Sequence, residues 1–288
     1  MLHNLRKLFS PHGITPPATG APTIALAEVL RHNWLELWYQ PKIDLRSKRL
    51  AGAEALARAR HPQFGLLGPG AFLPGAGEAD MRALTEQVII TALRDWSDFA
   101  EDGMSVLISV NTPVSALIKL PIANIIRKHR PKSSSWPGLI LEVTEDEIMQ
   151  DIAKANEVAE ALRACNCHFA LDDFGAGYSS LGRLQQLPFS ELKIDRSYVS
   201  NCHTDRINAG LCEIIVELGQ RFGLKTVAEG IENVYEYHKL QGLGCDIGQG
   251  YLFSKPLSKD AFIDTALKRL VTRHDDTDGR ALGLHAGA

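Results

Sequence analysis

Short apolar runs recur along this chain, each closing on an acidic or amide side chain and each followed by a turn and a stretch of helical period. The runs predict strands over Leu35–Leu45, Leu50–Ala59, Ser105–Asn111, Leu139–Glu145, His168–Phe174, Glu191–Arg196, Lys225–Gly230 and Cys245–Leu252. Between them, apolar residues return every three to four positions. Ile207, Leu211, Ile214, Ile215, Leu218 and Phe222 form one helical stripe, ending at Gly223 as a C-cap glycine should. Leu84, Val88, Ala92 and Trp96 line another, with Ile89 and Leu93 beside them, and Ile152–Cys165, Ile231–Leu240 and Ala261–Arg273 read as further helices. Strand–helix alternation of this kind predicts an α/β fold, a (β/α)8 barrel in which the strand C-termini share the face that carries the chemistry.

The strand ends would then bring together Glu54, Asn111, Glu142, Glu145, Asp172, Asp173, Lys193, Asp195, Glu229, Glu232 and Gln249. Asp172 and Asp173 close a short apolar run just before Gly175. Two adjacent carboxylates repel and resist desolvation, so a confined site tolerates them only with cations present, which suggests a bound divalent metal. Lys193 and Asp195 alternate with Leu192 and Ile194, giving that strand one apolar and one polar face. Singly, each residue has an ordinary reading: Glu142 or Asp172 as a helix cap or loop ion pair, Asn111 as a cap for the next helix, Lys193 as a solvated strand lysine. Independent accidents do not place polar groups at so many strand ends, and the joint pattern favours a metal site.

With 288 residues, 45% of them hydrophobic, the chain can form one large barrel. A net charge of −3 gives no polycationic surface, so binding to polymeric nucleic acid is not expected, whereas a small phosphorylated ligand is compatible. The five cysteines, Cys165, Cys167, Cys202, Cys212 and Cys245, contain no CxxC pair and read as reduced thiols of a cytoplasmic protein. No apolar run suits a signal peptide or a membrane span. Residues 1–23, rich in proline and glycine, are expected to be a flexible lead-in, residues 24–274 the folded domain, and residues 275–288 a loose tail.

The ordered series Tyr39-Gln40-Pro41, Glu54-Ala55-Leu56-Ala57-Arg58, Ser109-Val110-Asn111, Glu142-Val143-Thr144-Glu145, Asp172-Asp173-Phe174-Gly175, Leu192-Lys193-Ile194-Asp195-Arg196, Val227-Ala228-Glu229-Gly230-Ile231-Glu232 and Gln249-Gly250-Tyr251-Leu252-Phe253 resembles the EAL domain family of cyclic-di-GMP phosphodiesterases. The resemblance runs from about Leu26 to Leu257. It implies a modified TIM barrel whose first strand is antiparallel to the rest, and two Mg²⁺ or Mn²⁺ ions. Glu54, Asn111, Glu142 and Asp172 would hold one ion, and Asp172, Asp173 and Glu229 the second. Lys193 would meet the attacking water or the phosphate, supported by Gln249 and Asp195, while Glu145 and Glu232 orient loops. Gln40, Leu56 and Arg58, together with Glu54, would contact the dinucleotide, and Phe253 would offer a stacking surface. Arg58 suits a phosphate or a guanine edge because its fork donates two hydrogen bonds at once.

The implied reaction is hydrolysis of cyclic-di-GMP to linear 5′-pGpG, with hard oxygen ligands favouring Mg²⁺ or Mn²⁺ over zinc and Ca²⁺ expected to inhibit. A homodimer is implied, coupled to the metals through the loop after Asp173, and regulation through a protein partner is an accompanying expectation. Three departures from the family pattern fall near these loops: Thr112-Pro113 after Asn111, Gly77 before Glu78, and Ala176 where the family commonly has Thr. The alternative is a catalytically weak EAL-type receptor that binds the dinucleotide and signals to a protein partner.

Overall fold

The structure, a computed structural model, describes residues 22–144, 152–174 and 187–275. Strands β1 (Leu35–Asp44), β2 (Leu50–His61), β4 (Ile108–Asn111), β5 (Leu139–Thr144), β6 (Cys167–Phe174), β7 (Phe189–Ile194), β8 (Lys225–Ala228) and β9 (Ile247–Gly248) follow one another round a closed barrel, with β9 returning to β1. β1 runs antiparallel to both β2 and β9, and every other neighbouring pair in the ring is parallel. This is the modified barrel with a reversed first strand that the sequence implies. Two short strands lie outside the ring: β3 (Gly65–Leu67) extends β2 as a hairpin, and β10 (Leu257–Ser258) adds to β1.

The α-helices are α1 (Leu26–Arg31), α2 (Glu78–Glu101), α3 (Val114–Lys119), α4 (Ile122–His129), α5 (Ile152–Arg163), α6 (Arg196–Val199), α7 (Arg206–Phe222), α8 (Val234–Leu243) and α9 (Lys259–Asp275), with a single 3-10 turn at Pro69–Ala71. The best-marked helices are bounded by their own residues. Asp205 caps α7 through the Ile207 and Asn208 amides, and Gly223 ends it at φ 67°. Asn233 and Glu236 form a capping box for α8, which is why that helix opens at Val234 and not at the expected Ile231. Short α1, α3, α4 and α6 and strands β3 and β10 carry too few residues for a periodic signal and were not expected. β9 is shorter than the expected Cys245–Leu252, because after Gly248 the chain turns: Gln249 still donates to the Ala228 carbonyl at 2.8 Å, but its own carbonyl accepts from Ile231.

The apolar core lies outside the ring, between strands and helices. One cluster joins Tyr39, Val110, Leu141 and Phe169 to α2 and α9, and a smaller one joins Leu171, Leu192, Ile194 and Ala228 to α7 and α8. α7 differs from the expected stripe. Cys212, Ile215, Val216, Leu218 and Gly219 face the barrel, while Ile207 and Ile214 are 74% and 62% exposed. Gly219 sets this rotation, since a Cβ there would fall 2.4 Å from the Thr226 methyl, so the helix packs on β8 at its glycine. All five cysteines are buried and unpaired. Among the described residues no helix is long and apolar enough to cross a membrane.

Candidate active site

Strand alternation turns Tyr39 outward, where its hydroxyl donates to Asp95 at 2.8 Å, and turns Gln40 inward, across from Glu54. The inward residues near the strand C-termini form a buried polar layer in place of the branched apolar residues that usually fill a barrel. Gln40, Lys42, Glu54, Asn111, Glu142, Asp172, Glu191, Lys193, Glu229 and Gln249 all belong to it, and each is buried.

Lys193 sits at its centre. Its Nζ lies 2.6 Å from Glu142 Oε2, 2.6 Å from Glu229 Oε1 and 3.1 Å from Asp172 Oδ1. Lys42 grips the other oxygen of Glu142 at 2.9 Å and reaches Glu191 at 3.3 Å. Glu54 is held by two amides: Asn111 Nδ2 donates to Oε1 at 2.7 Å and Gln249 Nε2 to Oε2 at 2.5 Å. Gln249 also donates to Gln40 Oε1 at 3.0 Å, and Gln40 Nε2 donates to the Ser254 carbonyl. Asn111 therefore serves the site and not the following helix, whose N-cap is Pro113.

The electrostatics follow from five buried carboxylates facing two ammonium groups. Burial pushes Glu54 up to about 7 despite Lys193, and it raises Asp172 and, much further, Glu229. Burial alone would also raise Glu142, but Lys193 and Lys42 together outweigh it and hold that carboxyl well below its ordinary value. For Lys193 and Lys42 burial acts downward and the surrounding carboxylates overcome it, so both are raised.

Asp173 takes up a left-handed conformation at φ 55°, and its amide donates to Asp172 Oδ1 at 3.0 Å, fixing that carboxylate. Asp195 caps α6 by accepting from the Ser197 amide at 2.9 Å. Glu232 is paired with Arg196, whose side chain fills the space against Gly230. Arg58 is largely buried, with Nη1 donating to the Ala57 carbonyl at 2.8 Å; burial lowers its pKa while Glu54 and Tyr251 act in the opposite sense. Leu56 is buried across from Trp38. Phe253 packs edge-on to Tyr237, with ring centroids 6.2 Å apart. Glu145, Ala176 and the remainder of the loop after Phe174 lie outside the described residues.

As the side chains stand, no three His, Cys, Asp or Glu side chains among the described residues surround a common point suited to an ion, because the Lys193 ammonium is inserted between Glu142, Asp172 and Glu229. The donor set nevertheless suits a hard divalent cation. It is all oxygen, its carboxylates are forced together in a dry layer, and Gln249 Oε1 is buried there with no hydrogen-bond partner. Lys42 and Glu191 were not singled out from the sequence. Each lies two residues from a recognised inward residue, Gln40 and Lys193, so the two-residue strand period is the signal that finds them.

An eight-stranded barrel with a reversed first strand and an acidic layer at its strand ends defines one class of protein. Residues 24–256 match the family model described as "EAL domain", and the chain belongs to that family. It is 35% identical over 249 residues to the cyclic di-GMP phosphodiesterase RocR of Pseudomonas aeruginosa, covering 83% of this chain and 62% of RocR. It thus spans less than two thirds of that relative's length. The solved c-di-GMP complex of the PaMucR phosphodiesterase superposes with a TM-score of 0.74 at 36% identity, over 82% of this chain and 97% of that one. The manganese/cy-diGMP complex of Klebsiella pneumoniae BlrP1 gives a TM-score of 0.67 at 25% identity, over 78% of this chain and 57% of that one.

Proposed function

We propose that this barrel is a cyclic-di-GMP-specific phosphodiesterase, hydrolysing the cyclic dinucleotide to linear 5′-pGpG with two Mg²⁺ or Mn²⁺ ions. The observation that carries the reading is the complete buried layer of Glu54, Asn111, Glu142, Asp172, Lys193, Glu229 and Gln249, whose excess of carboxylate is suited to cations and whose lysine suits a phosphate. The names of RocR and of the two solved complexes support the substrate and the metal class.

Glu54, Asn111, Glu142 and Asp172 would hold one ion, and Asp172, Asp173 and Glu229 the other. When bound, such ions polarise the phosphodiester oxygens and make a water nucleophilic near neutral pH. Gln249 Oε1, otherwise unpartnered, accepts a hydrogen bond from the attacking water. Once the ions hold its carboxylate partners, Lys193 Nζ would be freed to donate to a phosphoryl oxygen as negative charge develops on it, lowering the barrier more than it tightens ground-state binding. Gln40, Leu56 and Arg58 orient the dinucleotide, and the 3′-oxygen leaves as the ring opens. Asp195, Glu145 and Glu232 act on the loops around this layer, and Phe253 is the base surface that the family resemblance implies.

The free cysteines support a cytoplasmic setting, and the exposed Ile207 and Ile214 on one side of α7 support a homodimer. A regulatory protein partner is part of the same reading. The deciding experiment is incubation of pure protein with Mn²⁺ and cyclic-di-GMP. Accumulation of pGpG, abolished by chelator, is the expected result. Tight binding with no product would favour the receptor reading instead.

A further inference from the structure

β1 and β2 remain paired beyond the Gln40–Glu54 level, with β10 along the other edge of β1 at Trp38, and register fixes which side chains share a face. Gln40 lies across from Glu54, Trp38 from Leu56, and Glu36 from Arg58. Side chains two apart along a strand point the same way, so Trp38 stands one pleat, roughly 7 Å, beyond the Gln40–Glu54 pair. Arg58, directly beyond Leu56, shares this face with Glu54, so the face runs into the acidic layer.

Trp38 is half-buried yet belongs to neither apolar cluster and is not among the partly buried residues packed on them, whereas its neighbour Trp34 is. Among the described residues no aromatic ring stacks on it, although Trp34 has rings on both sides. The indole is held in place all the same. Its Nε1 donates to Glu36 Oε1 at 2.7 Å, and Arg60 clamps the same carboxylate with two bonds of 2.7 Å, from Nη2 to Oε1 and from Nε to Oε2. A large flat ring, fixed by an ion pair, partly exposed and outside both apolar clusters, is suited to a planar ligand.

We propose that Trp38 is a stacking platform for one guanine base of the substrate, its ring locked by Glu36 and Arg60 acting as positioning residues. This rests on the cyclic-dinucleotide reading above. Stacking tolerates any base, so Trp38 supplies affinity while the Arg58 donors not held by the Ala57 carbonyl read an edge or a phosphate. Loss of the stack then raises KM and leaves kcat nearly unchanged, because the base is held equally in the ground and transition states.

The test compares Trp38→Leu and Trp38→Phe with wild-type protein, circular dichroism confirming the fold of each. Steady-state hydrolysis of cyclic-di-GMP in Mn²⁺ is run beside a tryptophan-fluorescence titration with cyclic-di-GMP in EDTA, where chemistry is off. Trp38→Leu should raise KM by about 5- to 100-fold, the span that loss of one base–aromatic stack produces, with kcat within about threefold. Trp38→Phe should retain most affinity but lose most of the ligand-induced quench, which Trp34→Phe and Trp136→Phe should keep. Glu36→Leu should raise KM, and Glu36→Gln, which still accepts from the indole, should restore it. An unchanged KM in Trp38→Leu, or a full quench in Trp38→Phe, overturns the platform while leaving the function intact. A wild-type protein that neither binds nor cleaves cyclic-di-GMP overturns the function reading and the platform with it.

Discussion

Lys42 Nζ lies 2.9 Å from Glu142 Oε1, on the carboxylate oxygen that Lys193 does not hold. Glu142 is thereby tied to two ammonium groups reaching in from β1 and β7, across the interior of the ring. Lys42 also balances Glu191, so it is the shared counter-charge of two buried acids.

Lys42→Met should therefore act on stability as well as on turnover. Removing one member of a buried ionic cluster leaves uncompensated charge, which costs about 3–5 kcal/mol. Urea denaturation should show that loss, and Lys42→Met combined with Glu191→Gln should recover part of it. A single-variant loss below about 1 kcal/mol would mean that water reaches Lys42 and the cluster is not the dry one described.

The two faces of β1 should separate stability from function at adjacent positions. Tyr39→Phe strands the buried Asp95 without its hydroxyl donor, a loss of about 1–3 kcal/mol, while kcat/KM stays within about twofold. Gln40→Ala should do the reverse, raising KM at least about tenfold with a smaller change in stability. Thermal melts and steady-state kinetics on the same preparations decide it, and equal kinetic losses in both would break the assignment of inner and outer faces.

Divalent cations should stabilise the fold, since they relieve the crowding of Glu54, Asp172 and Glu229. At about a hundred times Kd the gain is about 2.7 kcal/mol, visible as a rise in Tm with Mg²⁺ or Mn²⁺ that Glu54→Gln diminishes. Ca²⁺ should also raise Tm yet support little turnover, because its oxygen distances are about 2.3–2.6 Å against 2.0–2.1 Å for Mg²⁺, and a displacement of about 1 Å at the reacting atoms costs roughly a hundredfold. Equal rates in Ca²⁺ and Mg²⁺ would count against the two-ion arrangement.

Replacing both Ile207 and Ile214 with aspartate should leave circular dichroism unchanged, because both are on the solvent side of α7. If α7 is the contact between two copies, light scattering should report a halved mass at concentrations where wild type is dimeric. A doubly substituted protein that remains dimeric would place the contact elsewhere.

The barrel and most of its polar layer were legible in the sequence because a strand's end and its side-chain alternation are local properties. Glu54, Asn111, Glu142, Asp172, Lys193, Glu229 and Gln249 each close or flank a short apolar run, and the fold brings them together. Less legible were groups whose role depends on what lies opposite. Lys42 and Glu191 look like ordinary strand charges until the barrel closes around them, and Trp38 gives no signal until the register places it one pleat beyond Gln40. The α7 stripe failed for a related reason. Period alone gives a helix several apolar faces, and the choice among them came from Gly219, whose missing side chain lets the helix settle on Thr226.

The web that joins Lys42, Glu142, Glu191, Lys193, Asp172 and Glu229 also shapes what descendants of such a barrel can become. A mutation that silences chemistry at one acid leaves each lysine at least one counter-ion, whereas loss of a lysine leaves two or three buried acids uncompensated. Lineages that abandon catalysis are then expected to lose acids of this web before its lysines. A barrel that kept the acids and lost Lys193 would be the one most dependent on a bound cation to stay folded.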